Sequence, residues 1–151
     1  MIKIITVGSI KEKYLKEAIE EYTKRLSKYT NIEIIEVKDE GLVEPQKALI
    51  LEEEKILKHI NDKDYIITLE IEGKEFTSEE LASTLDKIQL ESSNITFIIG
   101  GSYGLSQSIK DKSRLHLSFS KMTFPHQLFR VLLLEQIYRS YKINNNESYH
   151  K

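Results

Sequence analysis

The sequence predicts a single α/β domain in which helices cover both faces of a mainly parallel sheet. Short, apolar, β-branched segments alternate along the chain with longer segments whose apolar residues recur every three or four positions. Such alternation is typical of a three-layer α/β fold. The 151 residues suffice for one core, and no repeat, linker or low-complexity segment divides them. We therefore expect one domain over residues 1–151.

The first elements follow from their residue patterns. Ile2–Val7 is apolar and β-branched and stops at Gly8, which predicts a strand. Lys11–Tyr29 carries apolar residues at spacings of three and four, which predicts a helix with one buried face. Ile32–Val37 is again rich in isoleucine and valine, and it predicts the second strand.

The middle of the chain continues the alternation. After a loop, a helix is predicted at Pro45–Ile60, because proline is favoured in a first helical turn. The third strand, Tyr65–Ile71, is expected to end before Gly73. A capping-box pattern at Thr77 predicts a helix that extends to about residue 90.

The last third begins with the most apolar strand. Asn94–Ile99 is nearly continuous in apolar residues, as in a strand buried on both faces, and it leads directly into Gly100–Gly104. A short helix at Ser106–Lys112 and a fifth strand at Leu115–Phe119 follow. The final helix is predicted at Pro125–Lys142, and a short tail completes the chain.

The pattern also indicates where a ligand would bind. Open parallel sheets bind ligands beyond the carboxyl ends of their strands. Three segments lie there: Thr68–Glu70, Gly100–Gly104 and Phe119–Phe124. The glycines would let the backbone approach a ligand closely, although a double glycine alone is more often a plain turn. The glycine-rich turn lacks the Lys-Ser/Thr of a P-loop, so a P-loop is excluded. A dinucleotide-binding fingerprint belongs in the first βα turn, where this turn does not lie, so that site is excluded as well.

Composition excludes several classes of protein. The chain has no cysteine, so it has neither disulfides nor thiolate chemistry. Its four histidines show no metal-ligand spacing, and we expect no metal; His59 and His116 are interpreted as structural. No segment approaches the roughly 20 apolar residues that span a membrane, and no signal-peptide pattern is present. We therefore expect a cytoplasmic protein that has no membrane partner.

Charge is distributed unevenly. The net charge is −2, yet residues 110–151 carry eight basic and three acidic side chains, against 14 basic and 21 acidic in the remainder. The basic segment is where a polyanion such as RNA would dock. A chance fluctuation on a solvated surface is the alternative.

The final helix is apolar almost all round, so it must be covered on more than one side. The sheet would cover one side, and we expect the second subunit of a symmetric dimer to cover another; a central helix in a monomer is the alternative. The helix also carries Arg130, Glu135 and Arg139, and the last two are spaced to pair. The pair is either a structural ion pair or places Arg139 in a substrate cleft, where it would bind phosphate or an oxyanion.

Four C-terminal motifs are long and specific. They are Ile98-Ile99-Gly100-Gly101-x-x-Gly104-Leu105, Leu117-Ser118-x-Ser120-x-Met122-Thr123-x-x-His126-Gln127-Leu128-x-Arg130, Glu135-Gln136-Ile137-Tyr138-Arg139 and Tyr149-His150-Lys151. With the chain length and the Val7-Gly8 opening, they resemble the ribosomal RNA large subunit methyltransferase H family. That family belongs to the SPOUT class of trefoil-knotted methyltransferases.

The resemblance implies a SPOUT fold with a C-terminal trefoil knot, a homodimer, and N3-methylation of a pseudouridine in 23S ribosomal RNA of the assembled ribosome. S-adenosylmethionine would be the methyl donor. By motif match, the cofactor would contact Leu69, Gly100, Phe119, Ser120, Lys121, Met122, Thr123 and Phe124.

The resemblance also suggests catalytic candidates. Arg139 would stabilise the anion that forms when the N3 proton leaves, and Glu135, which is spaced to pair with Arg139, is a candidate beside it. Tyr149 and His150 are candidates for proton transfer or base positioning, including in the partner subunit's site. Three alternatives stay open: a SPOUT enzyme acting on another RNA such as transfer RNA, a non-catalytic ribosome-associated factor, and a nucleotide-sensing regulatory module.

Overall fold

The computed structural model of the chain describes residues 1–151, in which strands and helices alternate. The strands are β1 (Ile2–Val7), β2 (Ile32–Val37), β3 (Tyr65–Glu75), β4 (Ile95–Ile99) and β5 (Leu115–Ser118). The helices are α1 (Lys13–Leu26), α2 (Pro45–Leu57), α3 (Ser78–Glu91), α4 (Gln107–Lys112) and α5 (His126–Asn144). Every predicted element is present, and the bounds differ mainly at α1, which is shorter at both ends, and at β3, which is longer.

All five strands form one parallel sheet in the order β2-β1-β4-β3-β5. The central strand is β4, and all of its residues are buried. Its residues are nearly all apolar because helices cover the sheet on both faces, as the sequence indicated. The carboxyl ends of β3, β4 and β5 lie side by side at one edge of the sheet.

Two apolar cores lie on opposite faces of the sheet. The larger core joins α1, α3 and α5 to one face, with Phe97 and Ile137 fully buried in it. The smaller core joins α2 and α4 to the other face through Ile56, Ile98 and Ile109. Neighbouring residues of β4 alternate between the cores, as the period of a strand requires. The three-layer α/β prediction is confirmed.

Helix α5 lies on the sheet between α1 and α3. Leu133, Leu134 and Ile137 have no exposed surface, since the sheet and both flanking helices cover them. The single chain thus covers this face of α5, whereas Leu128 stays exposed and Val131 and Leu132 are only partly buried. The homodimer itself stays a prediction of the family resemblance.

Strand β3 passes the point where the sequence predicted its end. Leu69 and Lys74 both pair with Leu117, so residues 70–73 bulge out between them. A Cβ on Gly73 would lie 2.7 Å from the carbonyl oxygen of His116, so a side chain there would collide with the backbone of β5. Bulges of this kind redirect side chains beside functional sites. Here the bulge turns Glu70, Ile71 and Glu72 toward the carboxyl edge of the sheet.

No helix of the fold combines the length and the hydropathy that crossing a bilayer would require.

Candidate active site

A cavity of about 430 Å³ opens at the carboxyl ends of β3, β4 and β5. Its walls are the β3 bulge, the turn Gly100–Gly104 after β4, and the segment 119–124 after β5. The start of α5 closes one side through His126 and Phe129. Cavities of roughly 300–1,000 Å³ are the size that binds cofactors and other small molecules. The three segments that the sequence placed at strand ends therefore converge on one cavity.

The glycine turn after β4 is tight enough to exclude side chains. A Cβ on Gly100 would collide with the carbonyl group of Gly104, and one on Gly101 would lie 2.8 Å from Cγ1 of Val7. Gly104 has a φ of 77°, which an L side chain rarely adopts, and its N–H donates to the Gly101 carbonyl at 3.1 Å. This wall of the cavity is therefore largely backbone, with peptide groups that a flat ligand can approach.

The segment after β5 is held by its own hydrogen bonds. The Ser120 hydroxyl accepts from the Met122 N–H at 3.0 Å, and the Ser118 hydroxyl donates to the Ser120 carbonyl at 3.1 Å. Beneath it, the ring of Phe129 lies 4.9 Å from that of Phe119 and 6.1 Å from that of Phe124. The segment thus presents polar backbone groups above an aromatic, apolar base.

Seven of the eight predicted cofactor residues line this cavity. They are Leu69, Gly100, Phe119, Ser120, Met122, Thr123 and Phe124, whereas Lys121 is exposed and lies outside the lining. Lys110 of α4 and Phe129 of α5 also line the cavity but were not predicted. Lys110 gives no signal in the sequence, because it is one of many helical lysines. Phe129 is predictable only as an apolar residue of α5.

A polar cluster lies at the rim of the cavity around Glu70. Its carboxylate accepts a hydrogen bond from the Thr68 hydroxyl at 2.6 Å, contacts Nδ1 of His116, and lies 3.8 Å from the Lys110 ammonium. Burial alone would raise the pKa of Glu70, but the hydrogen bonds from Thr68 and His116 outweigh it and hold the pKa below its ordinary value. The cavity rim therefore carries an ionised carboxylate at neutral pH.

The four predicted catalytic residues form a second cluster. Nε and Nη2 of Arg139 donate to Oε1 of Glu135 at 2.9 and 2.6 Å, and the Tyr149 hydroxyl donates to the same oxygen at 3.0 Å. Nη1 of Arg139 lies 3.0 Å from Nδ1 of His150, and Nε2 of His150 lies 2.6 Å from a carboxylate oxygen of Glu79. We call these five residues the Arg139 cluster.

Contacts within the Arg139 cluster shift the pKa of three of its members. Burial and the hydrogen bond to Glu135 raise the pKa of Tyr149 to about 12. The hydrogen bond to Glu135 also raises the pKa of Arg139. The hydrogen bond from His150 lowers the pKa of Glu79. At neutral pH, Tyr149 is therefore a hydrogen-bond donor and Arg139 a cation.

The Arg139 cluster lies away from the cavity of its own chain. None of its members lines the cavity. Arg139 comes ten residues after Phe129 on α5, which is about 15 Å along a helix that rises 1.5 Å per residue. One chain therefore holds the predicted cofactor residues and the predicted catalytic residues in two separate places.

A buried arginine joins the start of α5 to the opposite part of the fold. Arg130 is 2% exposed, and its guanidinium donates to the Glu36 carboxylate at 2.6 Å and to the Gly8 carbonyl at 2.8 Å. Glu36 also accepts from the N–H of Ile10 at 3.0 Å. The sequence marked Arg130 as a charge in an apolar helix, but its partners are more than 90 residues away along the chain. This network fixes the helix start that forms one wall of the cavity.

Comparison with known proteins agrees with the fold. The family model described as "Predicted SPOUT methyltransferase" matches residues 1–150. The chain shows the fold of a probable methylase family protein from Haemophilus influenzae Rd KW20, with a TM-score of 0.60 and 14% identity over 99% of this chain and 70% of that one. Because the family match extends over almost the whole chain, the protein belongs to the SPOUT methyltransferases.

More similar relatives narrow the family. The chain is 54% identical to the ribosomal RNA large subunit methyltransferase H of Clostridium botulinum strain Hall, over 99% of both chains. It is 57% identical, over 99% of both chains, to a protein of Methanococcus maripaludis strain C5 whose name assigns it provisionally to the same kind of methyltransferase. Within the SPOUT proteins, it is a member of the ribosomal RNA large subunit methyltransferase H family.

Proposed function

We propose that the protein transfers a methyl group from S-adenosylmethionine to N3 of a pseudouridine in 23S ribosomal RNA of the assembled ribosome. The proposal rests chiefly on the convergence of Leu69, the Gly100–Gly104 turn and the 119–124 segment on one cavity. The names of the relatives support ribosomal RNA as the substrate. The resemblance of the C-terminal motifs supports the choice of base and ring nitrogen, and a ribosomal substrate implies work in the cytoplasm.

The cavity residues fit such a cofactor. The volume of the cavity suits a nucleoside that carries a side chain. The cavity wall at Gly100 is bare backbone, and a Cβ added there would collide with the neighbouring peptide. Leu69, Gly100 and the 119–124 segment would hold the adenosine part through backbone groups and apolar contacts. The ionised Glu70 at the rim suits the cationic part of the molecule. When bound, the cofactor supplies a methyl group that its sulfonium has already activated.

The chain's own task is then to position an RNA base and to handle one proton. Positioning alone can lower a barrier by about 7–11 kcal/mol in the best cases. Arg139 would stabilise the anion that remains when N3 loses its proton. Tyr149, which stays protonated, would orient the base. His150 is the candidate for moving the proton, once its contact with Arg139 opens.

The separation of the two sites favours a homodimer. The Arg139 cluster cannot reach its own cavity while both are fixed to α5, about 15 Å apart. A symmetric dimer would bring each cluster to the cavity of the other subunit. The half-exposed Leu128 near the start of α5 is available for such an interface.

Mass mapping of ribosomal RNA tests the proposed function. Unmodified ribosomes are incubated with the protein and labelled S-adenosylmethionine, and the 23S RNA is digested and mapped; transfer RNA serves as the competing substrate. We expect one methyl group on one pseudouridine of 23S RNA and none on transfer RNA. Calorimetry without RNA should show binding of the cofactor. A protein that binds ribosomes but shows no cofactor binding would instead be a non-catalytic factor.

A further inference from the structure

A second groove lies between the carboxyl-terminal half of α1 and that of α5, outside the cavity. We call it the α1–α5 groove. Its lining residues are Glu21, Lys24, Arg25, Lys28, Tyr29, Tyr138 and Lys142. Its volume, about 140 Å³, lies below the range of small-molecule pockets, so it suits a surface contact with a larger partner.

The groove is strongly basic in a chain with a net charge of −2. Four cationic side chains line it against one carboxylate, Glu21, and the tail brings in one more, Glu147. Lys24 and Lys28 are exposed and form no ion pair. Two of the four cations come from α1, and Lys28 follows directly after it, so the fold assembles this charge from parts of the chain that are distant from the basic C-terminal segment. A local surplus of exposed cations is the electrostatic mark of a surface for a polyanion.

Aromatic rings form the floor of the groove. The Arg25 guanidinium lies 5.8 Å from the ring centre of Tyr138, and the Lys142 ammonium lies 5.6 Å from the same ring. The rings of Tyr29 and Tyr141 stack beside them at 5.5 Å. Cations over aromatic rings hold their positions, and interleaved cations and rings are typical of nucleic-acid surfaces.

The groove already holds one anionic oxygen group. The Glu147 carboxylate, from the tail, accepts a hydrogen bond from the Tyr29 hydroxyl at 2.9 Å and one from the Lys142 ammonium at 3.0 Å. The pKa of Glu147 is lowered by these two hydrogen bonds. The carboxylate therefore occupies a position whose donors would equally suit a phosphate oxygen.

The groove borders the Arg139 cluster. The rings of Tyr138 and Tyr149 meet edge to face, with centres 4.9 Å apart, and the Arg139 guanidinium lies 4.7 Å from the centre of the Tyr149 ring. An RNA strand lying along the groove would therefore pass beside the residues to which we assign the handling of the target base.

We infer that the α1–α5 groove binds the phosphodiester backbone of the RNA substrate, with Lys24 and Lys28 as its exposed phosphate contacts. This inference rests on the proposed function for the identity of the RNA. Phosphate contacts fix the register of an RNA strand without reading its sequence. The groove would thus dock the strand while the neighbouring cluster positions one base.

Binding of a fluorescent 20-nucleotide single-stranded RNA tests the inference. The variant K24Q/K28Q is compared with the control K47Q/K58Q, which removes the same charge from two exposed positions, one in α2 and one directly after it, on the other face of the sheet. Each phosphate contact with a single strand contributes about 0.7 to the slope of log affinity against log salt, so two lost contacts should lower it by about 1.4. By the same relation, affinity at 0.1 M salt should fall about 25-fold in K24Q/K28Q.

A second comparison probes the carboxylate that occupies the groove. E147Q should bind the RNA more tightly than the wild type, and more tightly than E54Q, which removes an exposed acid of α2. The inference would be overturned if the wild type and K24Q/K28Q had equal salt slopes. It would also be overturned if K24Q/K28Q and K47Q/K58Q lost RNA affinity equally. Equal affinities of E147Q and E54Q would overturn it as well.

The outcome is separable from that of the proposed function. Calorimetry with S-adenosylmethionine should give the same affinity for the wild type and K24Q/K28Q, because the groove lies outside the cavity. With ribosomes as substrate, K24Q/K28Q should raise KM and leave kcat unchanged. Absence of methyl transfer by the wild type would overturn the proposed function, while the RNA-binding comparison would still decide on the groove.

Discussion

At the scale of single residues, the cavity wall depends on the absence of one side chain. Gly100→Val would place atoms against the carbonyl group of Gly104 and force the turn to open. Gly104→Ala is the matched control, because a Cβ there meets no atom within 4 Å and only its φ of 77° is unfavourable. We expect Gly100→Val to abolish S-adenosylmethionine binding in calorimetry. Gly104→Ala should retain it and should lower the free energy of unfolding by about 1–2 kcal/mol.

Tyr149 gives a prediction about pH. Its pKa of about 12 lies above the ordinary tyrosine value of about 10, so folding favours its protonated form. This contribution to stability is fully present below pH 10 and is lost between pH 10 and 12. Subtracting the ultraviolet titration of Tyr149→Phe from that of the wild type should therefore reveal one tyrosine ionising near pH 12.

The same protonation state constrains the reaction. A tyrosine that stays protonated adds no titration to the rate between pH 6 and 9, so Tyr149→Phe should lower the rate of methyl transfer without changing the shape of its pH profile. A difference titration centred near pH 10, or a changed profile, would contradict the assignment of Tyr149 as a donor.

The sequence predicted the ion pair within α5 but not the ion pairs between distant elements. The spacing of Glu135 and Arg139 on one helix face predicted their ion pair, which the structure contains. The partners of Arg130 and of His116 could not be predicted, because Glu36 and Glu70 meet them only after distant strands have aligned. Local spacing fixes contacts within a helix, whereas contacts between elements depend on the topology of the sheet.

At the scale of secondary-structure elements, α5 carries much of the core. Leu134 is fully buried where α5 packs on the sheet, whereas Leu128 is 39% exposed on the same helix. Leu134→Ala should lower the free energy of unfolding by about 2–5 kcal/mol, because it removes buried atoms and leaves a cavity. Leu128→Ala should lower it much less. Denaturant unfolding of the two variants measures the difference; equal losses would show that Leu128 is buried in solution, as in an interface.

The elements were predictable to different degrees. Apolar patterns, together with the proline and capping signals, predicted all ten strands and helices. The capping box of α3 is present, with the Thr77 hydroxyl accepting from the Glu80 N–H at 3.1 Å. The β3 bulge was not predictable, since Gly73 resembles an ordinary strand end until the backbone of β5 lies against it. That α1 and α3 flank α5 was not predictable either, because periodicity does not reveal which helices will lie beside it.

At the scale of the whole molecule, two sites that one chain keeps apart are proposed to meet in a dimer. The variants Arg139→Ala and Gly100→Val each remove one of these sites, so each should be inactive alone. If the two are unfolded and refolded together in equal amounts, half of the dimers would be mixed, and each mixed dimer would combine one intact cavity with one intact Arg139. Methyl transfer should then recover to about a quarter of the wild-type rate, as expected for random pairing in a symmetric dimer. If Arg139 instead served the cavity of its own chain, every chain in the mixture would carry one defect and no activity would return.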